Sequence, residues 1–313
     1  MITRDQEIKT GYGEDFSFIG PAERLIFFDI ETTGLRAGRA ELYLIGVLRL
    51  EEGRWILSQW FSESMEDEEA LLDELQSLIA KKRKEASGRQ PILVSYNGDG
   101  FDIPFISQCL RAYGRQDITK SVLSFDLYRH FRGLKSILGL RSMKLKAVEG
   151  FLGIAREDCY GGGELIPVYE EYRRLKSHGG DEERRKELLK LLLLHNAEDI
   201  SNLPHVCRLN SYSSLLSGGY VLDGAELVNV DKRASLDLRL SLSSGLPSEF
   251  AYEDEHYVIS ASGSRADLLN IAVNLYEGEL RYFFADHKNY YYLPMEDRAI
   301  HKSVGAFVER SAR

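Results

Sequence analysis

An apolar run that ends in two acids, residues 25–31, constrains the fold of this chain more than any other segment. It reads Leu-Ile-Phe-Phe-Asp-Ile-Glu and is followed by Thr-Thr-Gly-Leu. The run is typical of a buried strand, in which successive side chains alternate between the two faces of a sheet. Asp29 and Glu31 are therefore expected on one face and Ile30 on the other. Two neighbouring carboxylates repel each other unless a cation lies between them, so the pattern indicates half of a metal site.

Two later segments supply further acids. Residues 92–96 are apolar and lead through a glycine-broken turn to Asp102, where a helix is expected to begin. The helix dipole favours a negative charge at that position. In residues 191–203, His195 and Asp199 are four residues apart, so on a helix they share one face. They offer a fourth acid and an imidazole that can move a proton near neutral pH.

Taken together, the three segments resemble the motifs of the DEDD superfamily of 3′–5′ exonucleases, which is built on the ribonuclease H-like fold. The segment with Asn97 and Asp102 is similar to the second motif, and the segment with His195 and Asp199 is similar to the third. Three stretches resemble the YprB-like branch in particular: residues 124–128, residues 144–149 with 152–154, and residues 160–169. The resemblance covers residues 23–212, and three motifs in order are a more specific signal than one alone.

The resemblance implies a set of catalytic residues and a two-metal-ion mechanism. Asp29, Glu31, Asp102 and Asp199 would hold two divalent cations, Mg²⁺ or Mn²⁺, which prefer oxygen ligands. Asp29 would bridge both ions, Glu31 and Asp199 would complete the ion that activates water, and Asp102 would hold the other. His195 would take the proton from the water. Its spacing from Asp199 departs from the histidine branch of the superfamily but is similar to the YprB-like branch.

Substrate-binding residues are expected in two groups. The resemblance implies the following residues of the first two motifs: Thr32, Thr33, Leu35, Asn97 and Phe101. Residues 127–148 contain six arginines and lysines and no acid, which favours contact with phosphate groups. From this stretch we predict Arg129, Arg132 and Lys144 as contacts. The same pattern also fits a solvated helix-loop-helix face.

The order of predicted elements indicates an α/β protein independently of the motifs. Three consecutive strands predict an antiparallel unit: residues 24–30, 42–50 and 54–61. Strand-helix units follow at residues 91–113 and 122–138. This order is that of a ribonuclease H-like mixed sheet with helices on both faces. Residues 161–163, three glycines, are predicted to form a flexible loop near the site.

The chain is expected to contain three parts: a polar lead-in at residues 1–22 with a short strand at 16–19, the exonuclease domain at 23–213, and a small α+β domain at 220–313. The boundary falls in the Ser- and Gly-rich residues 213–224. The last part is predicted to be mainly antiparallel β, with a strand at 252–260 and a terminal helix at 299–310. Aromatic residues 282–284 and 290–292 fit a sheet core or a surface that stacks bases, and we expect the core.

Composition restricts the setting of the protein. At 313 residues with 43% hydrophobic residues, the chain can build one large domain and a smaller one. No run of 18 apolar residues and no apolar secretion signal are present, so we expect no membrane partner and a cytoplasmic location. Three widely spaced cysteines fit reduced thiols better than a disulfide frame or a zinc site. The net charge of −9 requires that any nucleic acid be held by local basic patches.

These observations predict a metal-dependent 3′–5′ exonuclease that acts on an end of single-stranded DNA or RNA. One alternative is a structure-specific or RNA-trimming nuclease with the same metal chemistry. Another is a catalytically silent module that binds nucleic acid or protein. The loss of one of the four acids would favour such a module, but all four are present. A transposase or resolvase relative is disfavoured because the segment from Asn97 to Asp102 resembles exonucleases.

Overall fold

The computed structural model describes residues 1–8, 13–230, 233–242, 245–261, 267–278 and 284–312. The chain divides into two compact units, Met1–Asn274 and Leu275–Arg313. None of the helices in these described ranges combines the length and the apolar character that crossing a bilayer requires.

The first part of the chain alternates strands and helices. Its strands are β1 (Ile2–Ile8), β2 (Leu25–Thr32), β3 (Leu42–Glu51), β4 (Arg54–Phe61), β5 (Ile92–Ser95) and β6 (Leu123–Asp126). Its helices are α1 (Glu68–Glu85), α2 (Asp102–Ala112), α3 (Leu127–Phe131), α4 (Leu134–Ile137), α5 (Leu145–Phe151), α6 (Gly162–His178), α7 (Glu182–Val206) and α8 (Asn210–Ser217). The later strands are β7 (Tyr220–Val230), β8 (Arg233–Leu242), β9 (Phe250–Glu253), β10 (Tyr257–Ala261), β11 (Leu268–Leu275), β12 (Tyr290–Leu293) and β13 (Arg298–His301).

Six strands form the main sheet in the order β1-β4-β3-β2-β5-β6. β2, β3 and β4 are antiparallel, whereas β5 is parallel to β2 and β6 is parallel to β5. This arrangement confirms the predicted mixed sheet. β1 pairs antiparallel with β4, with Ile2 opposite Phe61. The strand predicted at residues 16–19 is wrong because residues 17–19 form a turn, and the actual edge strand is too polar to show an apolar pattern.

β2 sends its side chains into two separate cores, one on each face of the sheet. Ile26, Phe28 and Ile30 pack with residues of α1 and α2. Leu25 and Phe27 pack with residues of α3, α5 and α7. The predicted helices on both faces are therefore confirmed, and the acids of β2 face α7.

Gly46 allows α7 to lie unusually close to the sheet. It stands on β3 directly opposite Asp29 of β2. A Cβ atom at this position would lie 2.1 Å from Cδ1 of Ile200 and 2.2 Å from Oδ1 of Asn196. Both neighbours belong to α7, so only glycine accommodates the helix at this distance.

A second, antiparallel sheet follows in the order β7-β8-β11-β10-β9, as predicted for the C-terminal part. Tyr212 packs edge-on against Phe250 at 5.6 Å between ring centroids and donates a hydrogen bond to the carbonyl of Ser248 (2.9 Å). The single strand predicted at residues 252–260 is wrong. Asp254 accepts hydrogen bonds from the N–H groups of His256 and Tyr257, and this turn separates β9 from β10.

The second compact unit contains a hairpin of β12 and β13, with Tyr290 opposite His301. The helix predicted at residues 299–310 is wrong, because β13 is followed only by short 3₁₀ turns. Phe284 and Tyr292 are about half exposed, so the predicted aromatic core does not include them. Residues 282 and 283 lie outside the described residues. The domain boundary at residues 213–220 stays a prediction; the second sheet begins at Tyr220.

Candidate active site

Two carboxylates of β2 lie against α7. Asn196 of α7 donates a hydrogen bond to Oδ2 of Asp29 (3.1 Å), and its own side-chain oxygen accepts one from Gln59 (3.0 Å). Glu31 is buried, and its Oε2 lies 3.5 Å from the hydroxyl of Tyr43. The alternation of β2 therefore places both acids on one face, as the sequence predicts.

Asp102 joins these acids from the first turn of α2. Its Oδ1 accepts a hydrogen bond from the N–H of Ile30 (3.2 Å), which attaches the start of the helix to β2. Burial raises the pKa of Asp102 to about 7. Backbone hydrogen bonds oppose the rise, and the charges of Asp126 and Asp199 add to it.

His195 and Asp199 lie one turn apart on α7 and face Glu31. Nε2 of His195 is 3.5 Å from Oε1 of Glu31 and 3.5 Å from Oδ2 of Asp199. One ligand atom from each of the three residues lies within 4.8 Å of the other two. The spacing would allow one cation to contact all three side chains.

The acids destabilise one another's charged forms. Burial raises the pKa of Asp29 and of Glu31 well above their usual ranges, and in both cases the charges of Asp102 and Asp199 add to the rise. Carboxylates in such a cluster need a counter-ion to stay ionised together at neutral pH. The four acids offer carboxylate oxygens, the kind of ligand that Mg²⁺ and Mn²⁺ prefer.

Asp158, in the loop between α5 and α6, was not predicted from the sequence. Its Oδ2 lies 2.6 Å from Nδ1 of His195. Burial would raise the pKa of Asp158, but hydrogen bonds from the N–H of Tyr160, from Lys146 and from His195 lower it to about 2. The ionised carboxylate therefore accepts a hydrogen bond from Nδ1–H of His195, and Nε2 of the same ring faces Glu31 and Asp199. A single acid in an irregular loop shows no periodicity that could have marked it.

Arg156, from the same loop, was also not predicted. Its buried guanidinium lies 2.6 Å from Asp199, 3.0 Å from Glu149 and 3.2 Å from Asp158. Glu198 contributes at 3.5 Å and also accepts the N–H groups of residues 157 and 158. One cation thus offsets several acids at the edge of the cluster and fixes the loop that carries Asp158.

The predicted glycine loop at residues 161–163 is instead the start of a helix. α6 begins at Gly162, and Glu164 accepts a hydrogen bond from the N–H of Gly161 (2.7 Å). A Cβ atom on Gly162 would lie 3.9 Å from Oε2 of Glu31. The N-terminus of α6 therefore borders the acid cluster.

The predicted substrate residues of the first motif surround a short loop. Thr32 donates a hydrogen bond to the carbonyl of Gly34 (2.8 Å), and the hydroxyl of Thr33 accepts one from the N–H of Glu41 (2.8 Å). Leu35 is 84% exposed. It shares a cavity of about 330 Å³ with Phe101, so the structure brings these two predicted residues together.

Asp126 holds the backbone at two other predicted substrate residues, Asn97 and Arg129. It accepts hydrogen bonds from the N–H groups of Asn97 (2.9 Å), Asp99 (3.3 Å) and Arg129 (3.2 Å). The side chain of Arg129 pairs with Asp99 at 2.9 Å. Arg132 instead lines a cleft beside Asn97. Lys144 lines the same cleft.

The chain belongs to the RNase_H superfamily, whose family model matches residues 26–210, more than half of the 313 residues. Comparison with curated proteins gives no match.

Solved structures with a similar arrangement include the family B DNA polymerase from the hyperthermophilic archaeon Pyrobaculum calidifontis, with 16% identity and a TM-score of 0.43. They also include the E. coli ExoI–ssDNA complex in its zinc-bound form (11% identity, TM-score 0.35) and E. coli exonuclease I with a dA16 oligonucleotide (11% identity, TM-score 0.33). The matches cover 61%, 75% and 71% of this chain, respectively. They span 24% of the polymerase chain and 54% and 55% of the exonuclease chains.

Proposed function

We propose that this protein is a metal-dependent 3′–5′ exonuclease that hydrolyses phosphodiester bonds at single-stranded ends of nucleic acid. The observation that carries the proposal is the position of His195 Nε2, 3.5 Å from both Glu31 and Asp199, with Asp158 bound to the opposite ring nitrogen. A histidine held in this way, beside several acids that need a cation, fits a site that removes a proton from water.

Asp29, Glu31, Asp102 and Asp199 would hold two divalent cations. Such ions lower the pKa of bound water and stabilise the charge that develops on the phosphate oxygens. Burial raises the pKa values of Asp29, Glu31 and Asp102, and the charges of neighbouring acids add to the rise; this observation supports their assignment as ligands.

The remaining steps belong to side chains of the chain itself. His195 would accept the proton of the attacking water at Nε2. Asp158 would hold the ring in the tautomer with the proton on Nδ1 and would stabilise the imidazolium that forms. The direction of cleavage and the preference for single strands come from the resemblance of the three motifs to DEDD exonucleases.

The proposal is tested with 5′-labelled single-stranded DNA, duplex DNA and RNA, each incubated with Mg²⁺, Mn²⁺ or EDTA. We expect a metal-dependent ladder that shortens from the 3′ end, while circular single-stranded DNA stays intact. Asp29→Asn should abolish the ladder. Glu52→Gln, a change at an 86% exposed acid in the turn after β3, should leave it unchanged.

Each alternative gives a different result. Cleavage of the circle would identify an endonuclease, and activity on RNA alone would identify an RNA-trimming enzyme. Binding of nucleic acid without cleavage under any condition would contradict the proposal and favour a silent binding module. A ladder that persists at full rate in Asp29→Asn would show that the acid cluster is not the active site.

A further inference from the structure

A cleft of about 540 Å³ lies beside Asn97, at the carboxyl end of β5. Four cations line it: Arg132, Lys135, Arg141 and Lys144. The other lining residues are aromatic, polar or apolar, and none of them is an acid. The chain as a whole has a net charge of −9, so this local group of positive charges would attract an anionic ligand to the cleft.

The charges in the cleft are free to meet a ligand. All four side chains are exposed. Among the described residues, none of them forms an ion pair with an acid. Arg129 and Lys146 belong to the same stretch of sequence, but they are bound to Asp99 (2.9 Å) and Asp158 (3.0 Å). The structure thus separates neutralised cations from unpaired ones, which the sequence alone could not do.

The walls of the cleft are held in place by contacts across the fold. Tyr96 donates a hydrogen bond to the carbonyl of Met143 (2.6 Å), which attaches the segment carrying Arg141 and Lys144 to the end of β5. The ring of Tyr96 also packs edge-on against Tyr128, with 5.9 Å between centroids. The cleft is therefore formed before a ligand binds. The residues of its walls would lose little conformational entropy on binding.

The cleft is also connected to the acid cluster. Asn97 lines the cleft and begins the turn that leads to Asp102. A strand whose end lies at the acids could therefore continue past Asn97 into the cleft. Four unpaired cations exceed what one phosphate needs, whereas a polymer of phosphodiesters supplies a series of negative charges.

We propose that this cleft binds the sugar-phosphate backbone of a single-stranded nucleic acid, away from the bond that is cut. The inference rests on the proposed nuclease function and assigns Lys135 and Arg141 to substrate binding in addition to Arg132 and Lys144. Tyr96 and Tyr128 are partly buried and line the cleft beside the cations, and aromatic side chains can stack on unpaired bases, which favours a single strand over a duplex.

The first test is binding of a fluorescent 20-nucleotide strand to the EDTA-treated full chain, at several KCl concentrations. The double variant Lys135→Gln/Arg141→Gln should weaken binding about 10-fold at moderate salt. It should also reduce the slope of log affinity against log salt by about 1.4, since each phosphate contact contributes about 0.7. The control Lys84→Gln/Lys120→Gln removes the same charge from exposed residues near the amino ends of β5 and β6 and should change neither quantity.

The second test separates the cleft from the chemistry. The p-nitrophenyl ester of thymidine 5′-monophosphate is small enough to react at the acids without reaching the cleft. The cleft variant should hydrolyse this ester at the rate of the unchanged protein and lose about 10-fold in kcat/KM on the 20-nucleotide strand. If the unchanged protein hydrolyses neither substrate, the proposed nuclease function fails, while the binding measurement still decides the role of the cleft.

Several results would overturn the inference. Unchanged binding and salt slope in the cleft variant would remove the cleft from strand recognition. Equal binding of blunt duplex, with an equal loss in the variant, would contradict a single-strand site. Displacement of the strand by inorganic phosphate, beyond the effect of KCl at the same ionic strength, would identify a site for free phosphate instead.

Discussion

Asp158 Oδ2 lies 2.6 Å from Nδ1 of His195, and the opposite nitrogen of the same ring faces Glu31 and Asp199 at 3.5 Å each. The imidazole therefore connects an ionised loop carboxylate, Asp158, to Glu31, whose pKa burial raises well above its usual range. Asp158 receives two further cationic contacts, from Lys146 (3.0 Å) and Arg156 (3.2 Å). These contacts hold Asp158 in place beside the ring.

Asp158→Asn should lower kcat for the proposed hydrolysis. An amide can donate to Nδ1 and so favour the tautomer with the proton on Nε2, which cannot accept another proton there. We expect kcat to fall about 10- to 100-fold and KM to change less than about threefold, because Asp158 would act only through His195. Steady-state kinetics on the labelled strand measure both, and ¹⁵N spectra of the ring identify the tautomer.

The control for this change is Glu157→Gln, since Glu157 precedes Asp158 in the loop and its side chain is exposed. Its kinetics should match the unchanged protein. An Asp158→Asn enzyme with normal kcat would show that His195 needs no orienting carboxylate. His195→Ala should itself slow the chemical step about 10²- to 10⁴-fold, and an unchanged rate would exclude it as the base.

The metal-free protein should lose stability as pH rises from 5.5 to 8. The pKa of Asp102 is about 7 in the fold, whereas that of an unfolded Asp is about 3.9. Between these values the folded chain holds a proton that the unfolded chain has released, so the free energy of unfolding falls with rising pH. Asp29 and Glu31 shift in the same direction. Asp158, with a pKa of about 2, stays ionised throughout this range and adds no slope.

Asp102 alone should contribute a loss of about 2 kcal/mol between these pH values, measured by urea unfolding in EDTA. Mg²⁺ or Mn²⁺ at pH 8 should restore the stability of the fold, because a cation stabilises the ionised acids. Asp102→Asn should reduce the pH dependence and weaken the effect of the metal. A stability that is constant or rises between pH 5.5 and 8 would contradict the raised pKa values.

Gly46→Ala should destabilise the fold and reduce activity together. The new methyl group would meet Ile200 and Asn196 at 2.1 and 2.2 Å, so α7 must move away from β3. We expect a loss of about 1–3 kcal/mol and a loss of turnover, since His195 and Asp199 move with the helix. Gly150→Ala in α5 is the matched control because a Cβ there meets nothing within 4 Å. It should stabilise slightly, by about 0.5–1 kcal/mol, and equal effects of the two changes would show that α7 does not depend on Gly46.

Arg156→Met should be strongly destabilising, whereas Arg184→Met should not. The Arg156 side chain is 8% exposed and its loss leaves Glu149 and Asp158 buried near one another without their shared cation. Removal of one partner from a buried ionic group costs about 3–5 kcal/mol. Arg184 pairs with Glu171 at 3.0 Å but is 48% exposed, so solvent screens the pair and its loss should change the free energy of unfolding little. Comparable unfolding free energies for the two variants would show that Arg156 does not support the loop.

The sheet and its acids could be predicted because they depend on local pattern. The alternation in β2 predicted that Asp29 and Glu31 share a face, and the four-residue spacing on α7 predicted the same for His195 and Asp199. Both expectations follow from the periods of strand and helix. The order of strands also predicted the mixed sheet.

Asp158 and Arg156 could not be predicted because their roles depend on long-range contacts from an irregular loop. Asp158 is 37 residues from His195 in sequence. β1 was missed for a related reason: it is an exposed edge strand, so pairing with β4 and not an apolar pattern defines it. The unpaired state of the cleft cations likewise depends on which acids the fold brings near them.

Because alternate side chains of β2 enter two different cores, the proposed catalytic activity also reports whether this strand has its native register. A slip of one residue would exchange the faces, placing Asp29 and Glu31 in the apolar layer beneath α1 and α2 and turning Ile30 toward α7. Burying two acids without partners costs several kcal/mol, so a slipped sheet would be unstable as well as inactive. In a refolding experiment, recovery of the proposed metal-dependent activity would therefore measure the fraction of molecules with native pairing of β2, which spectroscopic recovery of secondary structure alone would not distinguish.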